Sequence, residues 1–383
     1  EAINDEINSE EDKELANELI DGFVVLKKAG RLKDVVVIDA SVGEGGGQAL
    51  RTSLALSIIL NKAVIIENFR LPRGTETRIK EPGLRPVQYA NMELIRRMLN
   101  NPILVGYKLG SHRLIFIPSS LKPQCNNFEM ALSEIEPDAT SIVTKIIQSV
   151  APIMALADKS LSVTIKGSSH KIDDLSPEYL QEVLAPMLEK LGINLSIDVE
   201  EHGFNISGRG RLKITVEEPT NRESIRGLEV EDKGVLKKID IFVTASNDFS
   251  LDEAGLRENL SQELKDFISS DIEIEITMRR IDAGNTMCCI LIRGEYQNSL
   301  CGFVNIAVTT DAIMIKGKEL VSKFKEFYNS KAVVDEYLAD MLIPYLILAK
   351  GDSSFIVNKI TPHLETNVYI ATQFLPDERI YLS

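Results

Sequence analysis

Three stretches of the chain follow one pattern: an apolar helix end, a short polar break, then a β-rich run. They are LALSIILNKAVIIEN (54–68), APIMALADKSLSVTIKG (151–167) and IPYLILAKGDSSFIVNK (343–359). Such a recurrence constrains the fold strongly, because each copy is one supersecondary unit whose apolar face must be covered by neighbours. Two copies run on into a second helix and a strand pair: MELIRRML then ILVGYKLGSHRLIFIP, and YLQEVLAPMLEKLGI then LSIDVEEHGFNISGRGRLKITV. The pattern predicts an α/β (α+β) body in which a helix pair on a small sheet is used three times.

Between the second and third copies the texture changes. Alternating strands (LKKIDIFVTA, IEIEITMRRI, MCCILIRGE) and a charged amphipathic helix (DEAGLRENLSQELKDFISS) suffice for a small α+β domain. The expected organisation is an acidic extension at 1–33, a three-repeat catalytic domain at 34–220 and 313–383, and an inserted domain at 221–312. The third repeat is expected to resume with the helix ELVSKFKEFYNS.

Composition bears mainly on what to exclude. At 383 residues, 44% hydrophobic and 26% charged, the chain can bury one large core or two smaller ones. No apolar run reaches the roughly 18–20 residues needed to span a bilayer. The start EAINDEINSEED lacks a signal peptide's basic and apolar regions, so a cytoplasmic protein without a membrane partner is expected. Cys125, Cys288, Cys289 and Cys301 show no CxxC spacing and are read as structural thiols. The net charge of −14 argues at first against a nucleic-acid partner, but most of it sits in the first 21 residues.

Chemistry is concentrated in VVVIDASVGEGGGQALRTSLALSII, a β-branched strand, a loop holding Gly43, Gly45, Gly46 and Gly47, and a helix beginning near Gln48. Glycines let a ligand approach the backbone, and N–H groups at a helix start favour an anion. No GK[ST] follows, so this is not a Walker loop, and Gln48 breaks the dinucleotide pattern. Glu44 as a metal-holding acid, with Gln48 and Arg51, suits a nucleotide triphosphate. The adjoining NFRLPRGTETRIKEPGLRP supplies Arg70, Arg73, Arg78, Lys80 and Arg85, a basic cluster whose arginine forks suit phosphate oxygens and which suits a solvated loop as readily. Of the four histidines, His112, His170, His202 and His363, none is paired at metal-ligand spacing, and no zinc site is expected. His363, in TPHLETN after the strand SSFIVNKI, lies at a strand-to-helix junction where a neutral imidazole can act as a nucleophile.

GEGGGQALRTSLALS, the Arg70/Arg73 pair leading to PGL (82–84), VVDEYLADMLIPYLIL and PHLETN together resemble the RNA 3'-terminal phosphate cyclase family, in order and spacing over about residues 35–380. The resemblance implies three units of two helices on a four-stranded sheet plus a smaller inserted domain. It implies a reaction in which ATP adenylates a histidine, AMP passes to an RNA 3'-phosphate, and the 2'-hydroxyl closes a 2',3'-cyclic phosphate. ATP, a divalent Mg2+ or Mn2+ ion, and an RNA with a 3'-phosphate end are the implied cofactors and partner. By position, His363 matches the nucleophile and Glu44 the metal-binding acid. Gln48, Arg51, Arg70, Arg73, Gln148 in IIQSVAP, and Tyr337, Leu338, Ala339, Asp340 and Met341 match the nucleotide pocket.

Several positions depart from the family pattern. Val87 and Gln88 stand where a Gln-His pair is usual, and Met341 stands where a glutamine is. KGSSHKIDDLSP replaces a glycine-, serine- and proline-rich signature, and only Gly208 and Gly210 remain of a glycine triplet. Two rival readings share the architecture: a non-catalytic cyclase-like factor of RNA processing or ribosome assembly, and a transferase acting on a phosphorylated metabolite.

Overall fold

The computed structural model describes residues 22, 24–44, 46–70, 82–121, 126–135, 143–205 and 209–382. The acidic segment 1–21, Gly45, Arg73, Arg78, Lys80, Cys125 and Gly208 lie outside the described residues. The chain divides into two compact units, 1–122 with 365–383, and 123–364.

In the first unit the order is β1 (Val36–Asp39), α1 (Gly47–Ile59), β2 (Val64–Glu67), α2 (Pro86–Met98), β3 (Ile103–Val105) and β4 (Leu114–Ile117). The strands form one sheet in the order β1-β2-β4-β3, with β1 parallel to β2 and β4 antiparallel to both its neighbours. Residues 24–28 are helical, and Leu26 is fully buried with Ala63, Ile65, Ile115 and Ile117. Small residues let α1 pack on nearly every side: Ala49, Ser53, Ala55 and Ser57 are all buried. Pro86 opens α2 where its missing N–H has no intrahelical acceptor to lose. The Gln88 side chain accepts from the Arg85 N–H at 3.2 Å, closing the first turn.

Glu93, on α2, receives Arg96 Nε at 2.6 Å, Arg97 Nε at 2.8 Å and the Tyr107 hydroxyl at 3.0 Å. Burial alone would raise this carboxyl, but the donors outweigh it and lower it to about 2. A folded-state value below the unfolded one stabilises the protein above about pH 4.5. That contribution is lost as pH falls towards 2. Glu93→Gln should therefore unfold more easily than the wild type at pH 6, with the difference shrinking in urea titrations run between pH 4.5 and 3.

The second unit repeats the first sheet's plan with β5 (Asn126–Ala131), α3 (Val143–Ala155), β6 (Leu161–Lys166), a helix α4 over 177–190, β7 (Ser196–Glu201) and β8 (Arg211–Val216). The order β5-β6-β8-β7 and the pairing senses match those of β1 to β4. Helix α4 widens to a π-turn at Leu180–Leu184. Its cause is Pro186, which has no N–H for the Glu182 carbonyl, and Arg293 Nη1 takes that carbonyl instead at 3.3 Å.

The chain then forms β9 (Glu229–Val230), β10 (Leu236–Ser246), α5 (Glu253–Lys265), β11 (Glu273–Ile281), β12 (Cys288–Tyr296), β13 (Leu300–Ala307) and α6 (Thr310–Asn329). After these come α7 (Glu336–Leu346), β14 (Ser354–Phe355) and α8 (Pro362–Phe374), within which the boundary between units falls. The sheet β11-β10-β12-β13 shares a core with α5 and α6, including Ile241, Leu256, Leu260, Ile290, Leu320 and Phe324. The helix ELVSKFKEFYNS is therefore the second half of α6 and packs on this sheet. The third helix-then-strand stretch is α7 followed by β14, and β14 pairs in parallel with β9 alone. Among the described residues the third repeat thus has a two-stranded sheet, where four strands were expected.

One buried carboxylate ties these elements together. Asp335, 1% exposed, caps α7 by accepting from Tyr337 N–H and Leu338 N–H, each at 3.0 Å. It also accepts the Tyr179 hydroxyl of α4 at 2.7 Å and the Gly302 N–H of β13 at 2.9 Å. Burial pushes its carboxyl up to about 6 against the pull of these donors. Asp335→Ala would orphan four donors, an expected loss of about 3–5 kcal/mol. Thermal unfolding should show the melting temperature falling by about 10 °C.

Candidate active site

The glycine loop and α1 are held by hydroxyl and amide side chains from α8. Gly43 adopts a left-handed φ of 68°, and Gly46 is the residue before the helix. A side chain at Gly47, the first residue of α1, would come within 3.0 Å of Arg51 Nη1 and 3.1 Å of Gln88 Nε2 and press on both side chains. The Glu44 carboxylate accepts the Gln48 N–H at 3.1 Å, stabilising the positive end of α1. Its own N–H goes to the Thr366 hydroxyl at 2.9 Å.

Gln48 is buried and all its polar atoms have partners. Its Oε1 accepts Arg51 Nη2 at 2.5 Å, and its Nε2 donates to Thr52 Oγ1 at 3.1 Å and to Asn367 Oδ1 at 2.9 Å. Thr52 Oγ1 donates to the same Asn367 oxygen at 2.5 Å. Gln48 thus orients the Arg51 guanidinium, and Asn367 orients Gln48. Asn367→Ala would leave two buried donors without an acceptor. The expected cost is about 2–4 kcal/mol, read as a lower urea midpoint with unchanged slope.

A second group lies in the second unit. His363 falls in the first turn of α8, with its side chain 44% exposed and Nδ1 3.6 Å from Asp340 Oδ2. Asp340 is buried on α7, and its Oδ1 accepts the Thr361 hydroxyl at 2.6 Å. Thr361 Oγ1 in turn accepts the Leu364 N–H at 2.9 Å. The carboxylate therefore fixes the residue that starts the helix as well as facing the imidazole. With Nδ1 towards an acid, Nε2 lies on the opposite side of the ring, the arrangement that makes one nitrogen the better nucleophile.

The remaining expected residues are placed as follows. Arg70 ends the turn after β2 with a φ of 53°, and its carbonyl accepts from Gly83 N–H at 3.4 Å. Gly83 lies too close to Gly110 for a side chain, which accounts for the glycine in PGL. Gln148 is half-buried on α3. Tyr337 is half-buried on α7, edge-on to Tyr179, and burial pushes its hydroxyl up to about 12. Leu338 and Ala339 are fully buried, and Met341 is nearly so.

Sequence reasoning passed over Thr361, Thr366 and Asn367 as individuals, although all three adjoin or fall within the motif around His363. Gln88, read in the sequence only as a departure from the family pattern, places its Nε2 next to Gly47. A buried amide, an Asn-Thr pair and a threonine before a proline are the signals that could have marked them.

The family model for RNA 3'-terminal phosphate cyclase matches residues 42–379. A protein of Pyrobaculum aerophilum named RNA 3'-terminal phosphate cyclase is 31% identical over 344 residues, covering 89% of this chain and 92% of its own. Proteins of the same name from Thermococcus onnurineus and Methylococcus capsulatus are 31% and 27% identical, covering 89% and 88% of this chain and 94% and 90% of theirs. The chain belongs to the RNA 3'-terminal phosphate cyclase family.

Proposed function

We propose that the protein is an ATP-dependent ligase that converts an RNA 3'-terminal phosphate to a 2',3'-cyclic phosphate through a histidine-AMP intermediate. The observation that carries this reading is His363 on the first turn of α8, with Nδ1 turned to the buried Asp340 carboxylate. Membership of the family supports the substrate class, since relatives along nearly the whole chain carry the cyclase name.

In the first step His363 Nε2 attacks the α-phosphorus of ATP, an N–P bond forms, the bond to the β-phosphate oxygen breaks, and pyrophosphate leaves. Asp340 holds the imidazole in orientation and stabilises the positive charge that develops on it. In the second step an oxygen of the RNA 3'-phosphate takes the AMP and the N–P bond breaks. In the third the 2'-oxygen attacks the 3'-phosphorus, loses its proton, and AMP leaves with the bridging oxygen. Arg51, Arg70 and Arg73 are assigned to phosphate oxygens, with Arg51 oriented by Gln48. Gln148, Tyr337 and the α7 segment to Met341 are assigned to the nucleotide.

Glu44 is assigned to a magnesium or manganese ion. A carboxylate oxygen at a helix start suits a hard cation that takes its other ligands from water and phosphate. When bound, the ion would neutralise triphosphate charge.

Incubation with α-labelled ATP and Mg2+, then denaturation, should leave an acid-labile adduct on the wild type and none on His363→Ala. An equal adduct on that variant would overturn the mechanism. Asp340→Asn should form the adduct about 10- to 100-fold more slowly. RNA ending in a 3'-phosphate should discharge the label, and the same RNA ending in a 3'-hydroxyl should not.

A further inference from the structure

The segment KGSSHKIDDLSP brings a second set of reactive side chains together inside the second unit. His170 is fully buried, and its Nε2 lies 3.1 Å from both oxygens of Glu178, itself 7% exposed. His202, from the loop after β7, is tilted against His170 with ring centroids 5.6 Å apart. One ligating atom from each of His170, Glu178 and His202 falls within 4.8 Å of the others. Cys289 of β12, 1% exposed, places Sγ 3.9 Å from Glu178 Oε2.

The hydrogen bonding around this group leaves a place for a cation. Ser169 Oγ donates to the Gly203 carbonyl at 3.0 Å and accepts the Gly203 N–H at 2.8 Å. With its one proton so used, Ser169 Oγ accepts the proton of His170 Nδ1, 2.8 Å away. His170 Nε2 then presents a lone pair to a carboxylate, which requires an electropositive centre between them. A proton could serve that pair. It would leave His202 Nδ1 as it stands, buried and without a hydrogen-bond partner. A metal ion would satisfy both imidazoles and the carboxylate together.

We propose that His170, Glu178 and His202 form a zinc site, with Cys289 as the fourth ligand. Two imidazoles, a carboxylate and a thiolate select zinc over magnesium or calcium. Donor atoms in a tetrahedral zinc site with bonds of about 2.1 Å lie about 3.4 Å apart, so the three atoms now within 4.8 Å of one another would draw in around the ion, and Cys289 Sγ, 3.9 Å from Glu178 Oε2, is the further donor beside the carboxylate. Ser169 is the outer partner that fixes the His170 ring, and through Gly203 it also fixes the residue next to His202. The histidines are not paired in sequence, and the fold brings His170 and His202 to one carboxylate. The site is independent of Glu44 and of the cyclase reaction.

The test is metal content and metal titration on the full chain. The purified wild type should hold about one equivalent of zinc. Co2+ added to chelator-stripped protein should give tetrahedral d–d bands and a sulfur-to-cobalt charge-transfer band. Cys289→Ser should abolish the charge-transfer band. His202→Gln, at a partly exposed position, should keep its circular dichroism and weaken Co2+ affinity at least about a hundredfold. Ser169→Ala should weaken it about tenfold. Glu44→Gln should leave it unchanged. Absence of stoichiometric zinc or cobalt binding by the wild type, or wild-type affinity in a folded His202→Gln, overturns the proposal.

Discussion

The second unit depends on where helix α7 begins, and that is fixed by the buried carboxylate of Asp335. A capping acid normally lies at the surface, where water shares the work. Here it is inside, and it collects donors from α4, from β13 and from its own helix. An uncompensated charge in such a place would be expelled, so the four donors have to be present for the helix to start there. Asp340 follows a little more than one turn later. Pro344 has no N–H to offer the Asp340 carbonyl, which weakens the helix's own hold on register from the C-terminal side. The position of the carboxylate beside His363 is therefore inherited from Asp335.

The first unit solves a similar problem with neutral groups. Apart from the Glu44 carboxylate, which accepts the Gln48 N–H, its glycine loop has little to hold it, and glycine gives up much conformational freedom when ordered. Thr366 and Asn367 supply the missing contacts to Glu44, Gln48 and Thr52. A motif that sequence comparison marks as one block, PHLETN, is thus split in its work. His363 faces an acid, while Thr366 and Asn367, both fully buried, are spent on ordering the loop and the arginine one turn inside α1. Substitution within the block would damage different properties at adjacent positions.

Features carried by local period were legible in the sequence. The strand, glycine loop and helix from Val36 to Ile59, the helix–strand–helix–hairpin order of the first two sheets, and the strands of the sheet β11-β10-β12-β13 all follow from short-range alternation and breaks. What escaped depends on long-range pairing. The alternation in ELVSKFKEFYNS says that one face of a helix is apolar but not which sheet receives it, and the receiving core proved to be that of β10, β12 and α5. The short run SSFIVNKI reads as a strand of full length, yet among the described residues its ladder is confined to Ser354 and Phe355, paired with β9, and the Ile356 carbonyl accepts from Val333 N–H at 2.8 Å. Gln88 and Asn367 look like ordinary surface amides until the fold buries them against Gly47 and Gln48.

The altered segment 166–177 shows the same limit for chemistry. Read as spacing, SSHKIDDLSP offers one histidine and a few hydroxyls, and nothing in it points to His202 or Cys289. Folded, it buries an imidazole beside a carboxylate, and the electrostatics then become demanding. Burial would raise the Glu178 carboxyl, but the charge and hydrogen bonds of His170 beside it hold it well below the usual range. Burial, with His170 adjacent, also lowers His202. The geometry is what a cation would answer: three ligating atoms within 4.8 Å of one another and a His202 Nδ1 without a hydrogen-bond partner.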